Sequence, residues 1–344
     1  MGKRYGYIYE KAFNRKAAGA AIDEMVRRKR SKPLRAYLAK HREELIDEVL
    51  ANPHHDGRAH CFTVNECGKP RPITDPCIHD QIIGRMIRNA MSPYVRKVLD
   101  PHTYASVKGR GPLKAMRDVY RIVREKKPRW FTKDDVVKCF PRFVHAFALK
   151  AYDWKFKDPK LRATLVEWLN AIEGLTLGDP RSQEFCNFCF TLVIAYCRHV
   201  LKVLDIFVYM DDFLLVARSK REATRCRDGL EAYLKNEGFD THVERSHAKP
   251  LEYRDKHDKL KGEAIDFCGY RIYRNAVALR KSLWKRVRRS IIRVKRDPTP
   301  KRLRRFFSYW GYIKHSSHYL IAKKYGLTPA FIEGLKGKTK GAQA

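Results

Sequence analysis

Two stretches of this sequence set acidic side chains at the end of apolar runs, where a carboxylate can be held against a sheet. One is Ile206-Phe207-Val208-Tyr209-Met210-Asp211-Asp212-Phe213-Leu214-Leu215-Val216, with two carboxylates between segments patterned as buried strands. The other is Phe131-Thr132-Lys133-Asp134-Asp135-Val136-Val137. An isolated Asp-Asp is usually an ordinary solvated turn. Here the dense apolar flanks argue against a free loop. Side chains alternate faces along a strand, so Asp134 and Asp135 cannot share a site, and one of them can meet Asp211 across neighbouring strands. Carboxylates converging in this way make a hard-oxygen site suited to two Mg²⁺ ions, with Mn²⁺ as the substitute. Two such ions activate an attacking oxygen and stabilise the leaving one in an in-line phosphoryl transfer.

The charge of the chain points the same way. Its 344 residues carry 73 Lys and Arg against 38 Asp and Glu, a net +35. Such an excess repels itself unless a polyanion neutralises it, and nucleic acid is the usual partner. Ribosome-like association or nonspecific adhesion would show the same excess. Nine cysteines and a polar, basic start (Met1-Gly2-Lys3-Arg4-Tyr5) predict a reducing cytoplasm with free thiols. No stretch approaches the roughly 20 apolar residues that span a bilayer, so no membrane role is expected. Cys186 and Cys189 form one CxxC inside an apolar run, which reads as packing in preference to zinc.

The elements that must position the acids can be read by periodicity. Helices are expected over 12–31 and 34–51, the second amphipathic through Leu34, Tyr37, Leu38, Leu45 and Val49. Short strands are expected at 61–64 and 71–74, and helices at 78–99 and 112–125. The Trp130–Val137 strand is followed by helices at 144–152, 158–172 and 182–204, with Ser182 a plausible N-cap. After the 206–216 pair come a helix at 220–237 and strands near 239–244 and 265–273. From Leu279 the chain turns basic and helical, with Arg280, Lys285, Arg288 and Arg289 among many cations and no acid between them. This gives an α+β fold with four parts: 1–130, 131–275, a helical unit at 276–336 and a disordered tail at 337–344.

At this point a family resemblance enters. Tyr209-Met210-Asp211-Asp212 resembles the YxDD box of reverse transcriptases, and Lys133-x-Asp135 followed by Phe140 resembles their first catalytic motif. The resemblance implies a right-hand polymerase with fingers, palm and thumb, and Asp135, Asp211 and Asp212 as catalytic metal ligands. It implies that Phe140 excludes a 2′-hydroxyl and that Lys69-Pro70-Arg71-Pro72 is the fingers strand holding the incoming dNTP through Lys69 and Arg71. Gln183 joins that dNTP site, with Lys249 near the pyrophosphate. Leu177 and Gly178 fall in the template-positioning loop. Phe267, Gly269 and Tyr270 resemble the primer grip, and Arg280, Lys285, Arg288 and Arg289 would lie along the RNA/cDNA heteroduplex.

Among compact bacterial and phage enzymes the chain most resembles the reverse transcriptases of diversity-generating retroelements. The template loop Leu177-Gly178-Asp179-Pro180-Arg181-Ser182-Gln183, the segment Phe267-Cys268-Gly269-Tyr270 and the thumb-like Trp310-Gly311 carry that likeness. It implies copying of a template-repeat RNA with errors at adenines, together with a small basic accessory variability protein. Departures are Asp179-Pro180-Arg181, His79-Asp80-Gln81 and the insertion Tyr253–Gly262. The rival readings are an antiphage reverse transcriptase with its own noncoding RNA, and a catalytically idle RNA-binding protein of polymerase shape.

Overall fold

The computed structural model of this chain describes residues 3–66, 68–242 and 247–341. Four helices open it: α1 (Tyr9–Ala12), α2 (Arg15–Arg28), α3 (Lys32–Lys40) and α4 (Arg42–Ala51). The Asn14 side chain starts α2 by accepting Ala17 N–H at 2.9 Å, and Ser31 starts α3 through Leu34 N–H at 3.3 Å. The single helix expected over 34–51 is therefore two. His41 leaves helical geometry between them, while Leu38, Leu45 and Val49 stay buried on both sides of the break.

Next, β1 (Ala59–Glu66) and β2 (Lys69–Pro76) pair as an antiparallel two-stranded ribbon. Thr74 N–H points away from β1 and donates to Leu177 O at 2.8 Å. Pro70, Pro72 and Pro76 share its parity along the strand. The outward edge of β2 is thus closed to further strand pairing at three positions, and Thr74 supplies its donor. Helices α5 (Ile78–Val98) and α6 (Pro112–Lys126) lead to the central sheet.

That sheet has the order β4-β5-β3-β6, with every neighbour antiparallel. Its strands are β3 (Trp130–Asp135), β4 (Asp205–Tyr209), β5 (Asp212–Ala217) and β6 (Lys249–Pro250). Helices α7 (His145–Lys155), α8 (Pro159–Asn170) and α9 (Ser182–His199) lie between β3 and β4, and α10 (Lys220–Asn236) follows β5. A small ribbon, β7 (Tyr253–Arg254) with β8 (Leu260–Lys261), precedes a three-stranded sheet of β9 (Ile265–Phe267), β10 (Tyr270–Ile272) and β11 (Val277–Leu279). Helices α11 (Lys281–Arg296), α12 (Pro300–Ile313), α13 (Tyr319–Tyr325) and α14 (Pro329–Gly341) close the chain.

Alternation along β4 and β5 sends side chains into two separate cores. Ile206, Val208, Phe213 and Leu215 join the core built with α2, α5 and α7–α10. Phe207, Leu214 and Val216, with Phe131 of β3, join the core built with α6, β9–β11 and the C-terminal helices. Each such side chain contributes about 1.5–3 kcal/mol on burial. The sheet is the partition between them.

Three expectations need correction. The tail expected to be disordered from 337 continues α14 to Gly341, and residues 342–344 lie outside the described residues. Ser182 is not a cap: Arg181 holds that position, and the buried Ser182 hydroxyl has no hydrogen-bond partner. The strand expected at 239–244 is only an isolated bridge from Thr241 to Val136 in its described part, with 243–246 outside it. Cys186 and Cys189 are buried in α9, and the eight described cysteines are free thiols. Among the described residues no helix is long and apolar enough to cross a membrane.

Candidate active site

The β4–β5 hairpin turns in two residues, since Tyr209 pairs with Asp212 and leaves Met210-Asp211 at the tip. Met210 sits at φ 56°, a left-handed conformation that favours glycine at this position of a tight hairpin. A residue with a side chain in that conformation is locally strained, and such strain is common where backbone geometry aims a functional group. Strand β5 then pairs with β3 so that Asp212 stands opposite Asp135, while Val136 N–H donates to Asp211 O at 3.3 Å. The choice between the upstream acids is thereby resolved. Asp135 faces the hairpin tip, and Asp134 is buried on the other face, accepting from Thr132 Oγ1 at 3.1 Å.

Burial, then the Asp135 carboxylate and the Asp212 carboxylate, push Asp211 up to about 6, with Arg71 acting in the opposite direction. The three predicted acids and the predicted triphosphate-binding arginine are therefore electrostatic neighbours. Lys133, two residues before Asp135 and on the same strand face, pairs with Asp212 at 3.0 Å. Sequence reasoning treated Lys133 only as a motif letter. Its alternation with Asp135 was the signal that both reach the same site.

The donor set suits a divalent cation by its chemistry. It consists of carboxylate oxygens at a strand end, where burial and two neighbouring carboxylates push Asp211 up to about 6. Among the described residues no three His, Cys, Asp or Glu side chains are already arranged to hold a metal ion. Asp135 and Asp211 are the carboxylates that would hold such an ion. Asp212 is partly engaged by Lys133.

The loop from Gly174 to Gly178 is held by close backbone approaches. A Cβ at Gly174 (φ 62°) would stand 2.3 Å from Phe140 O, and one at Gly178 (φ 118°) would stand 2.3 Å from Thr74 O. Leu175 N–H also donates to Phe140 O at 2.6 Å. Both glycines are thus required, and the loop is stitched to the Phe140 turn at one end and to β2 at the other. Leu177 lies between them, half-buried, and Phe140 is half-buried against the larger core. Gln183 is exposed at the start of α9, accepting from Ser106 Oγ at 2.6 Å.

Asp179-Pro180-Arg181, unusual as a loop filler, is a buried ionic anchor. Arg181 is bidentate on Asp179 at 2.6 and 3.0 Å, and it also donates to His55 Nε2 at 2.6 Å. Its guanidinium lies 4.3 Å from the Trp168 ring centroid, and Trp168 Nε1 donates to Asp179 at 3.2 Å. His55 in turn faces Asp80 at 3.4 Å. The two departures at 79–81 and 179–181 are halves of one network.

The remaining predicted residues are placed as follows. The β9–β10 hairpin turns at Cys268-Gly269, with φ of 50° and 85°. Phe267 and Tyr270 flank that turn at 0% and 1% exposure, so neither side chain presents a surface to a partner. This corrects their assignment as primer contacts, because inward alternation commits both to the second core. Lys249 is also corrected. It pairs with Phe131, four positions back from Asp135, and its ammonium holds Glu263 at 2.9 Å. Arg280 is bound to Asp266 at 2.6 Å, whereas Lys285, Arg288 and Arg289 are exposed on α11. Arg71 lies on β2 opposite Val64. Lys69 pairs with Glu66 in the same ribbon, and its side chain lies outside the described part.

Residues 55–272 match the family of reverse transcriptases (RNA-dependent DNA polymerases). The chain belongs to this family. Family membership gives the right-hand polymerase fold, with β3–β5 as the sheet that carries the acids. Reverse transcriptases as a family use divalent ions, which agrees with the donor chemistry above. Apo telomerase from Candida tropicalis is similar at 11% identity and TM-score 0.48, over 80% of this chain and 57% of that one. Its form truncated from the C-terminal domain matches at 11% and TM-score 0.47, over 64% and 55%. Telomerase from Candida albicans, in complex with a TWJ fragment of telomeric RNA, matches at 11% and 0.43, over 79% and 59%. This reverse transcriptase family member thus spans a little over half the length of those chains. No curated protein matches it.

Proposed function

We propose that this chain is an RNA-templated DNA polymerase that copies a template-repeat RNA into cDNA, with errors at adenines, for targeted protein diversification. The observation that carries the polymerase reading is the convergence of Asp211, Asp135 and Asp212 at a strained hairpin tip within electrostatic reach of Arg71. Two Mg²⁺ ions, when bound, would lower the barrier to attack of a primer 3′-oxygen on the α-phosphate of a dNTP and stabilise the pyrophosphate released. Asp135 and Asp211 would hold them, and Asp212 would support the site while sharing its charge with Lys133. Arg71 would fork onto the triphosphate oxygens, with Lys69 beside it. Phe140, whose carbonyl accepts from Leu175 N–H, would bound the sugar pocket. Primer extension on an RNA template with dNTPs and Mg²⁺ tests this directly. Absence of any DNA product would remove it.

The retroelement reading rests on Leu177. Its backbone is pinned to β2 through Thr74, so its apolar side chain has a fixed place at the template loop and offers no hydrogen bond there. Discrimination opposite the template base would then lean on shape. Leu177→Gln is expected to raise fidelity opposite template adenine in sequenced cDNA. An unchanged error spectrum would discard the idea. A small basic accessory variability protein is the partner this reading proposes.

Lys285, Arg288 and Arg289 would run along the heteroduplex backbone, reading charge without sequence. Replacing all three by Ala should flatten the slope of log affinity against log salt by roughly 2.7, about 0.9 for each phosphate contact, as measured by fluorescence anisotropy with an RNA/DNA duplex. A slope equal to the parent's would take α11 out of the interface.

A further inference from the structure

The insertion at 253–262 forms the β7–β8 ribbon, in which Arg254, Lys256, Lys259 and Lys261 outnumber the acids Asp255 and Asp258. Both of its acids are engaged within the ribbon. The Asp255 carboxylate accepts His257 N–H at 2.8 Å and Lys259 N–H at 3.0 Å, and Asp258 is paired with Arg254 at 2.9 Å. Lys256, Lys259 and Lys261 are exposed and make no ion pair among the described residues.

The ribbon leaves the central sheet at its far end. β3 begins with Trp130 opposite Pro250 and ends with Asp135 at the catalytic tip. Five strand steps put about 17 Å between these ends. More positive charge collects there. Arg129 lies close enough to Arg274 to lower that arginine's pKa, after burial, although Glu252 offsets part of this. Lys220 lies 5.9 Å from the Trp130 ring centroid and is not ion-paired among the described residues. Like charges in excess over the acids beside them cost free energy that an anionic partner would recover.

We infer that the β7–β8 ribbon and the adjoining Arg129–Lys220 surface bind the phosphate backbone of duplex RNA, at a second site remote from the catalytic cleft. This rests on reading the chain as an enzyme that copies RNA. A protein partner fits less well, because stable protein interfaces need an apolar centre. The two large apolar side chains here, Tyr253 and Leu260, are 46% and 60% exposed. The register pairs Tyr253 with Lys261 and Arg254 with Leu260, which sets them on opposite faces of the ribbon. They form no common patch. Lysines on both sides of a tight turn suit sequence-independent contact with phosphates.

The test uses the full chain first saturated with a short RNA/DNA primer–template, which occupies the cleft, and then titrated with a labelled RNA duplex of about 16 base pairs. The parent should bind this second RNA. Lys256→Glu, Lys259→Glu and Lys261→Glu together should weaken that binding at least tenfold, with primer extension on the short primer–template unchanged. The three side chains are exposed, so the fold should survive, and an unchanged melting temperature checks that it does. No second binding by the parent, or equal binding by the triple variant, overturns the inference. Equal affinity of the parent for poly-glutamate of matching charge overturns the RNA assignment. Each of these failures would leave Asp211-dependent DNA synthesis intact, whereas loss of the polymerase reading would appear as no synthesis by the parent.

Discussion

Asp211→Asn should abolish RNA-templated DNA synthesis and at the same time make the metal-free protein more stable. The first effect follows from removing a carboxylate that would hold the catalytic metal. Losing several kcal/mol of charge stabilisation at the transition state corresponds to a rate drop on the order of 10³ or more. The second follows from the carboxyl's raised pKa, about 6 against an ordinary 3.8. The folded protein binds that proton more tightly than the unfolded chain does, so this group favours folding below about pH 4 and opposes it increasingly as pH rises through 6. An amide stays uncharged throughout. In EDTA the variant's melting temperature should therefore exceed the parent's by a few degrees at pH 7.5, and the gain should vanish near pH 4. Residual synthesis above a few per cent, or a lower melting temperature at pH 7.5, would contradict the assignment of Asp211.

Arg181→Ala should cost about 3–5 kcal/mol of stability in urea titration, because it strands the Asp179 carboxylate in the interior. Asp179 is 6% exposed, and its pKa is lowered by Arg181 against the opposing push of burial. Without the guanidinium it keeps only the Trp168 indole N–H as a side-chain donor. Removing both charges, with Asp179→Asn and Arg181→Met, should recover much of the loss, since no ion is then left unpaired. A single-variant cost below about 1 kcal/mol would mean that the pair is not closed in solution.

What was legible in the sequence had a local signature. The β4–β5 hairpin, Asp135 and the long helices α5, α9 and α10 were visible because apolar runs and 3.6-residue periodicity are short-range properties. The sequence could not say that Phe267 and Tyr270 point inward, since a three-residue strand is too short for alternation to assign a face. Lys249 was misplaced for a related reason. Only strand register, a long-range property, shows that β6 pairs with the start of β3 and not with its catalytic end. The buried Asp179–Arg181–His55–Asp80 network was noticed only as two oddities 100 residues apart. Charged residues in a loop carry no mark of burial until their partners are found.

The wall between the two cores has one more implication. With apolar packing on both of its faces, the central sheet offers no open flank, and Asp135, Asp211 and Asp212 emerge only where its strands run out. The three acids are therefore approached end-on, from the side where Arg71 of β2 stands.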